Sequence, residues 1–137
     1  MKVTHLLTCL FLCITSVVLA QDKSEALAQK VADPWLALVD KGQYAETWQQ
    51  ASAAFKQQLT SDKWKEALVS ARTPFGKVVK RTLGSAQYTT SLPNAPAGEY
   101  VVLQYQSAFE NKSSATETVF MMKDADKQWR PVGYFIK

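Results

Sequence analysis

The sequence predicts an α+β fold, in which three N-terminal helices pack on one face of a curved four-stranded antiparallel sheet. Apolar residues recur at steps of three and four up to about residue 72, which is the helical period. Beyond that point β-branched and aromatic residues alternate with polar ones, which is the period of strands. Short runs of turn-forming residues separate these later segments, and short connections favour antiparallel neighbours.

Residues 1–20 are expected to be a secretory signal peptide. A short basic start precedes the nearly apolar stretch 6–18, and Ala20 and Gln21 flank the expected cleavage site. The apolar stretch is short for a membrane span and polar residues follow it, so we expect no stable membrane anchor after cleavage. We therefore expect a periplasmic or secreted protein, with residues 21–137 forming a single α+β domain.

The positions of the cysteines and histidine exclude several chemistries. Both cysteines and the only histidine lie in residues 1–20, so the expected mature chain has neither thiol nor imidazole. Disulfides, cysteine nucleophiles, Ser-His-Asp catalysis and Cys/His metal sites are excluded together. Asp124 and Asp126 look like the tip of a hairpin, and we expect no metal and no cofactor.

The charge distribution argues against a nucleic-acid partner. Sixteen basic and 12 acidic residues give a formal net charge of +4. The densest basic group, Lys77, Lys80 and Arg81, is too short for a polybasic arm.

The first helix is expected to end near Lys41. Leu27 and Val31 are spaced to continue toward Trp35 on one face. Pro34 predicts either a kink or a restarted helix, so the straightness of this helix is open.

A glycine corner should lead into the second helix. Gly42 is placed to adopt a left-handed conformation, which only glycine tolerates without a side-chain penalty. The second helix is expected over residues 44–58, with an apolar stripe of Tyr44, Trp48, Ala51 and Phe55.

The third helix has clear boundaries. Residues 60–62, Thr-Ser-Asp, supply capping groups and a negative charge at its start. Pro74 disfavours helical geometry at Thr73, so the helix should end near Arg72. Its expected apolar stripe is Trp64, Ala67, Leu68 and Ala71.

Four strands are expected, over residues 78–90, 100–109, 116–123 and 129–136. The second alternates best, with Val101, Leu103, Tyr105 and Phe109 on one side. The third and fourth look apolar on both sides, with Val119 and Met121 against Phe120 and Met122, and Val132 and Ile136 against Trp129 and Phe135. Because a two-faced apolar sheet would expose a large patch, we expect its outer face to contact an envelope protein partner or to form a homodimer.

The motifs together resemble a family of small exported bacterial proteins, domain of unknown function 4019. The resemblance rests on Trp35-Leu36 with Asp40, Gly42, Tyr44 and Trp48, on residues 72–76 and 89–102, and on Phe109-Glu-Asn-Lys112, Glu117-Thr-Val119 and residues 129–134. It covers nearly the whole expected mature chain and implies export, but it brings no activity. The order of elements is also similar to nuclear-transport-factor-2-like and cystatin-like folds, in which helices sit in the concave side of a curved sheet.

Two classes of function follow. The first is a non-enzymatic module that binds a partner protein or a small apolar ligand, through the mouth of the cone or the outer sheet face. The candidate ligand or partner residues are Trp48, Arg72, Arg81, Tyr105 and Tyr134.

The second class is a small isomerase or cyclase with a buried carboxylate as base and a tyrosine as hydrogen-bond donor. Asp40, Glu117, Tyr105 and Tyr134 could supply these groups. The alternative roles are structural: Asp40 would simply end a helix, and Glu117 would pair with Lys112 or Arg81 across strands.

Arg72 has two possible roles. It lies at the joint between the helices and the sheet, where its guanidinium could clamp loop carbonyls or a carboxylate. The functional alternative is an anion site at the cone mouth.

Overall fold

The computed structural model describes residues 11–137, and within them it confirms the predicted fold class. Four α-helices and a 3₁₀ turn precede an open four-stranded sheet of order β1-β2-β3-β4, in which every neighbouring pair is antiparallel. The elements are α1 Phe11–Asp40, α2 Tyr44–Gln49, α3 Ala53–Gln58, α4 Ser61–Arg72, the 3₁₀ turn Thr73–Phe75, β1 Val78–Thr89, β2 Tyr100–Phe109, β3 Lys112–Lys123 and β4 Trp129–Ile136.

Helix α1 is continuous from Phe11 to Asp40 and does not restart at Pro34. The signal-peptide prediction falls partly on residues 1–10, which lie outside the described residues. Helix α1 runs without interruption through the expected cleavage site between Ala20 and Gln21.

The buried face of α1 differs from the predicted one. Leu27 and Val31 are exposed, and the buried residues are Ala28, Ala32, Trp35, Leu36 and Val39. The prediction for Leu27 and Val31 was wrong because it chose the larger side chains for the contact. The small alanines allow the helix backbone to approach the sheet closely.

Gly42 ends α1 in the predicted left-handed conformation, with φ +71°. The Gly42 amide donates to the Val39 carbonyl and the Gln43 amide donates to the Leu38 carbonyl, at 3.0 Å each. This pair of bonds is a Schellman motif, which satisfies the last carbonyls of the helix.

The predicted second helix is divided into α2 and α3 by Ser52. The Ser52 hydroxyl caps α3 by accepting from the Phe55 amide at 3.2 Å, and its own amide donates to the Pro131 carbonyl of β4 at 2.8 Å. Because the Ser52 amide donates to β4, it cannot donate to a carbonyl of the preceding helical turn. The break is therefore caused by a tertiary contact that local periodicity does not reveal.

The helical layer is tied together through Thr47, which is fully buried. The Trp35 indole donates to the Thr47 carbonyl and the Trp64 indole donates to its hydroxyl, at 3.0 Å each. These bonds satisfy two buried indole N–H groups, as buried Trp side chains require. The two indoles also stack, with ring centroids 6.3 Å apart.

The sheet has the predicted bounds for β2 and β4, whereas β3 begins at Lys112 because only two residues connect it to β2. A bulge leaves Val132 unpaired, since Phe120 pairs with Gly133 and Met121 pairs with Pro131. The predicted opposition of Trp129 and Ile136 is therefore wrong. The extra residue at the bulge reverses the inward–outward alternation of side chains along β4. As a result Trp129 and Ile136 both pack with the core, beside Tyr134.

Candidate functional site

A buried network of charged and hydroxyl groups lies between the helices and the sheet, and we call it the charge cluster. Two arginines face two carboxylates there, so the four formal charges cancel. Its members come from α1, α4 and all four strands: Asp40, Arg72, Arg81, Ser107, Glu117 and Tyr134.

Glu117 is the centre of the charge cluster, and its side chain is 0% exposed. One oxygen accepts from Arg72 Nη1, Arg81 Nη2 and the Tyr134 hydroxyl, at 3.0, 2.9 and 2.6 Å. The other accepts from Arg81 Nε and the Ser107 hydroxyl, at 2.6 Å each. Five donors saturate the carboxylate, as a buried charge requires.

Asp40 is the last residue of α1, where a negative charge opposes the helix dipole. The last turn of α1 contains no basic residue. Arg72 and Arg81 supply the missing positive charge, with donor–acceptor distances of 2.7 to 3.0 Å. The sequence positions these partners 32 and 41 residues away.

Arg72 lies in the last turn of α4 and its side chain is buried. It holds Asp40, Glu117 and the Tyr134 hydroxyl, so it clamps carboxylates, one of the partners considered for it from the sequence. Within the described residues its Nε has no hydrogen-bond partner. The guanidinium carbon lies 4.7 Å from the centre of the Phe109 ring, whose face partly compensates the buried charge.

The protonation states of Arg81 and Tyr134 are fixed by their surroundings. Burial alone would lower the pKa of Arg81, but the hydrogen bonds that Arg81 donates to Asp40 and Glu117 outweigh it and raise that pKa. Burial raises the pKa of the Tyr134 hydroxyl, and the charge of Glu117 raises it further. Tyr134 therefore stays protonated and Arg81 stays charged at neutral pH, which makes both poor proton carriers.

Tyr105 forms a separate contact beside the charge cluster. Its hydroxyl donates to the Asp33 carboxylate at 2.7 Å. Burial and this hydrogen bond raise the pKa of Tyr105. The bond joins β2 to the middle of α1.

Trp48 is half-buried against the core instead of lining an open site. Its indole donates to the Leu59 carbonyl at 2.7 Å, and the Lys56 ammonium lies 5.9 Å from the ring centre. These contacts hold α2 against α3.

An apolar cleft of about 390 Å³ opens between the outer face of the sheet, the loop between β1 and β2, and two residues of α3, Ala54 and Gln58, and we call it the outer cleft. The loop between β1 and β2 forms one wall, held down by the Tyr100 hydroxyl, which donates to the Pro96 carbonyl at 2.6 Å. None of its lining residues is charged: Ala54, Gln58, Leu92, Pro93, Asn94, Ala95, Pro96, Tyr100, Phe120, Met122, Val132, Gly133 and Phe135.

An aromatic ridge forms one side of the outer cleft. Phe120 and Phe135 meet edge to face, with ring centroids 6.0 Å apart. Phe135 is 68% exposed. A second hollow of about 310 Å³ lies across the ridge and shares both rings. Gly133 makes room for the ridge, because a Cβ there would lie 3.3 Å from the Phe120 ring.

The tip of the β3–β4 hairpin carries a second group of charges. Arg130 pairs with Asp124 at 3.1 Å and with Asp126 at 2.6 Å. These carboxylates are paired with a cation, and the described residues contain no group of acidic, His and Cys residues that could hold a metal ion. No described helix has the length and hydropathy needed to cross a membrane.

The structure brings together five of the residues that the sequence singled out: Asp40, Arg72, Arg81, Glu117 and Tyr134. Glu117 pairs with Arg81, as considered, but not with Lys112, whose ammonium lies over the Phe75 ring. Sequence reasoning missed Ser107 and Asp33. Ser107 continues the series of inward-facing residues in β2, and this alternation was the signal that could have identified it.

Comparison with known proteins gives one family. Residues 31–134 match the family described as "Protein of unknown function (DUF4019)". This range includes the whole charge cluster and every lining residue of the outer cleft except Phe135. No curated protein matches the chain.

Proposed function

The chain belongs to the DUF4019 family of proteins of unknown function, and on that premise we propose that it is an exported, non-enzymatic binding module of the cell envelope. Its occupant is an uncharged, apolar segment of another envelope protein. This segment docks on the outer cleft and across the aromatic ridge. The observation that carries the proposal is an apolar cleft without a charged lining residue, between α3, the loop between β1 and β2 and the outer face of the sheet.

Support for export comes from the first half of α1. Residues 16–23 are all exposed, including the neighbouring apolar side chains of Val17, Val18 and Leu19. A row of exposed apolar residues adds nothing to a core. This exposure fits a segment that a signal peptidase removes.

The shape of the outer face favours a protein partner over a small molecule. Small-molecule sites enclose most of the ligand's surface. The outer cleft is open and continues over Phe120 and Phe135 into the second hollow. An extended apolar segment can cover the exposed Phe135 and reach both hollows, with the ring as a central anchor of the kind that dominates binding energy.

The charge pattern points to the same partner. The outer cleft has no charged lining residue, whereas the clefts on α4 and at the hairpin tip are lined by several. A charged segment would lose hydration there without gaining an ionic partner. The part of the partner's segment that enters the outer cleft is therefore uncharged.

The charge cluster supports a non-enzymatic role. Glu117 and the Tyr134 hydroxyl do face each other, as an isomerase would require, but Arg72, Arg81 and Ser107 fill the remaining positions around the carboxylate. A general base needs a free lone pair within reach of the substrate proton. Glu117 has already used its acceptor positions on the protein.

Site-specific photo-crosslinking in exporting cells tests the proposal. A photoreactive phenylalanine analogue replaces Phe135 in one strain and Val79 in another, because both positions are similarly exposed, at 68% and 70%. We expect a discrete adduct with one other protein from position 135 and none from position 79. The variant Met122→Asp, which places a charge in the cleft, should abolish that adduct.

The other outcomes are informative. Equal labelling from both positions, or an adduct that survives Met122→Asp, would show that the outer cleft is not the docking surface. An adduct between two copies of this chain would replace the envelope partner by a homodimer.

A further inference from the structure

We infer that the mature protein carries a cyclised N-terminus, a pyroglutamate formed from Gln21. This inference rests on the proposed export, because Gln21 becomes the first residue only if the bond after Ala20 is cleaved. The exposed helical segment around this bond carries the argument.

Two reactions are needed, a hydrolysis followed by a cyclisation. A signal peptidase first hydrolyses the Ala20–Gln21 bond with water, which frees the α-amine of Gln21. That nitrogen then attacks the Cδ carbon of its own side-chain amide. A new C–N bond closes a five-membered lactam, the bond from Cδ to the amide nitrogen breaks, and ammonia leaves with a proton from the amine. No oxidant, reductant or cofactor takes part.

The structure leaves the new terminus free to react. Residues 16–23 are exposed, so neither the cleavage site nor Gln21 is covered by the sheet or the other helices. Downstream of Gln21, the first contacts of α1 with the sheet that are seen come later. Glu25 accepts a hydrogen bond from the Tyr88 amide at 2.8 Å, and Ala28 is the first buried residue after Gln21. After cleavage the residues before Glu25 form an unanchored first turn, which frays easily.

Cyclisation also suits the electrostatics of α1. The α-amine, with an ordinary pKa of about 7.7 to 8.0, would be largely charged at neutral pH. A positive charge at the N-terminal end of a helix opposes the helix dipole. The lactam is neutral, so ring closure removes this charge beside Asp22 and Glu25, whose negative charges suit that end. It also removes the free amine that aminopeptidases recognise.

Intact-mass measurement of the protein recovered from exporting cells tests the inference. The full chain is expressed, and we expect the mass of residues 21–137 less one ammonia. A peptide map should place the loss on the N-terminal peptide, and N-terminal sequencing should find that peptide blocked. Native isoelectric focusing should show one positive charge fewer than for an unblocked chain.

The variant Gln21→Asn is the matched control. It keeps the amide and the charge but would need a strained four-membered ring, so its N-terminus should stay open. A loss of ammonia from an internal asparagine would persist in this variant, and the comparison separates the two sources.

The outcomes distinguish the two proposals. The uncyclised mass of residues 21–137 would overturn the lactam and leave export standing. Cleavage at another bond would also overturn it, since another residue would be first. Recovery of the uncleaved chain would contradict both export and cyclisation.

Discussion

Replacing Glu117 by glutamine removes one charge from the centre of the charge cluster and almost no volume. Two arginines would then face the single carboxylate of Asp40, which leaves one positive charge unpaired. The side chain of Glu117 is 0% exposed and that of Arg72 is 6% exposed, so water cannot replace the lost partner. Removing one partner of a buried ion pair costs about 3–5 kcal/mol. The new amide nitrogen is a hydrogen-bond donor, and it would face the donor groups that now surround the Glu117 carboxylate.

Urea unfolding at pH 7 measures this cost. With a slope of roughly 2 kcal/mol per molar urea, Glu117→Gln should lower the unfolding midpoint by about 2 M. Asp126→Asn is the matched control, because it breaks an arginine–carboxylate pair at the exposed hairpin tip, where solvent screens the charges, and it should lower the stability much less. Ser107→Ala removes one hydrogen bond to Glu117 and should fall between them, at about 1.5–3 kcal/mol. Equal, small losses for Glu117→Gln and Asp126→Asn would refute the assignment of Glu117 as the centre of a stabilising network.

Three further predictions concern other parts of the molecule. The pKa values of Tyr134 and Tyr105 are raised in the folded protein, so the unfolded chain ionises first as the pH rises. The contribution of these tyrosines to stability is therefore fully present below about pH 10, the ordinary tyrosine pKa, and falls above it by up to about 1.4 kcal/mol per pH unit for each tyrosine. Tyr134→Phe should make this fall shallower in alkaline unfolding curves. The hydrogen bonds from Arg130 lower the pKa of Asp126 to about 2, so an NMR titration of Arg130→Ala should move it up toward 3.8, and an unchanged pKa would rule out that cause. Ser52→Ala removes the cap of α3 and should lower the free energy of unfolding by about 1 kcal/mol in urea, whereas no loss would mean that the cap is not formed in solution.

The parts of the fold that were predictable from sequence depend on local patterns. The bounds of β2 and β4 follow from alternation and flanking turn residues, and Gly42 follows from the left-handed conformation that glycine permits. The parts that were not predictable depend on distant contacts. Ser52 breaks a helix because its amide serves Pro131 in β4, some eighty positions away in the chain. The bulge at Val132 depends on the pairing of β4 with β3.

The charge cluster illustrates the same limit at the level of single residues. The sequence marked Asp40, Arg72, Arg81 and Glu117 as candidates but joined only Glu117 to Arg81, since the partners lie 32 to 45 residues apart. Pairing two arginines with both carboxylates requires the three-dimensional crossing of α1, α4 and the sheet. The outer cleft was similarly hidden, because its wall is a loop whose path over Tyr100 no periodic pattern specifies.

The central claim is that the helix-facing side of the sheet is filled by an internal network, so that binding is left to the outer face. Hydroxyl-radical footprinting, in intact exporting cells and on the purified protein, tests this most directly. Phe135 and Met122 should be oxidised less in cells than in the purified protein, while Phe75, away from the outer cleft, should be oxidised equally in both. Equal oxidation of Phe135 and Met122 in the two samples would contradict the account.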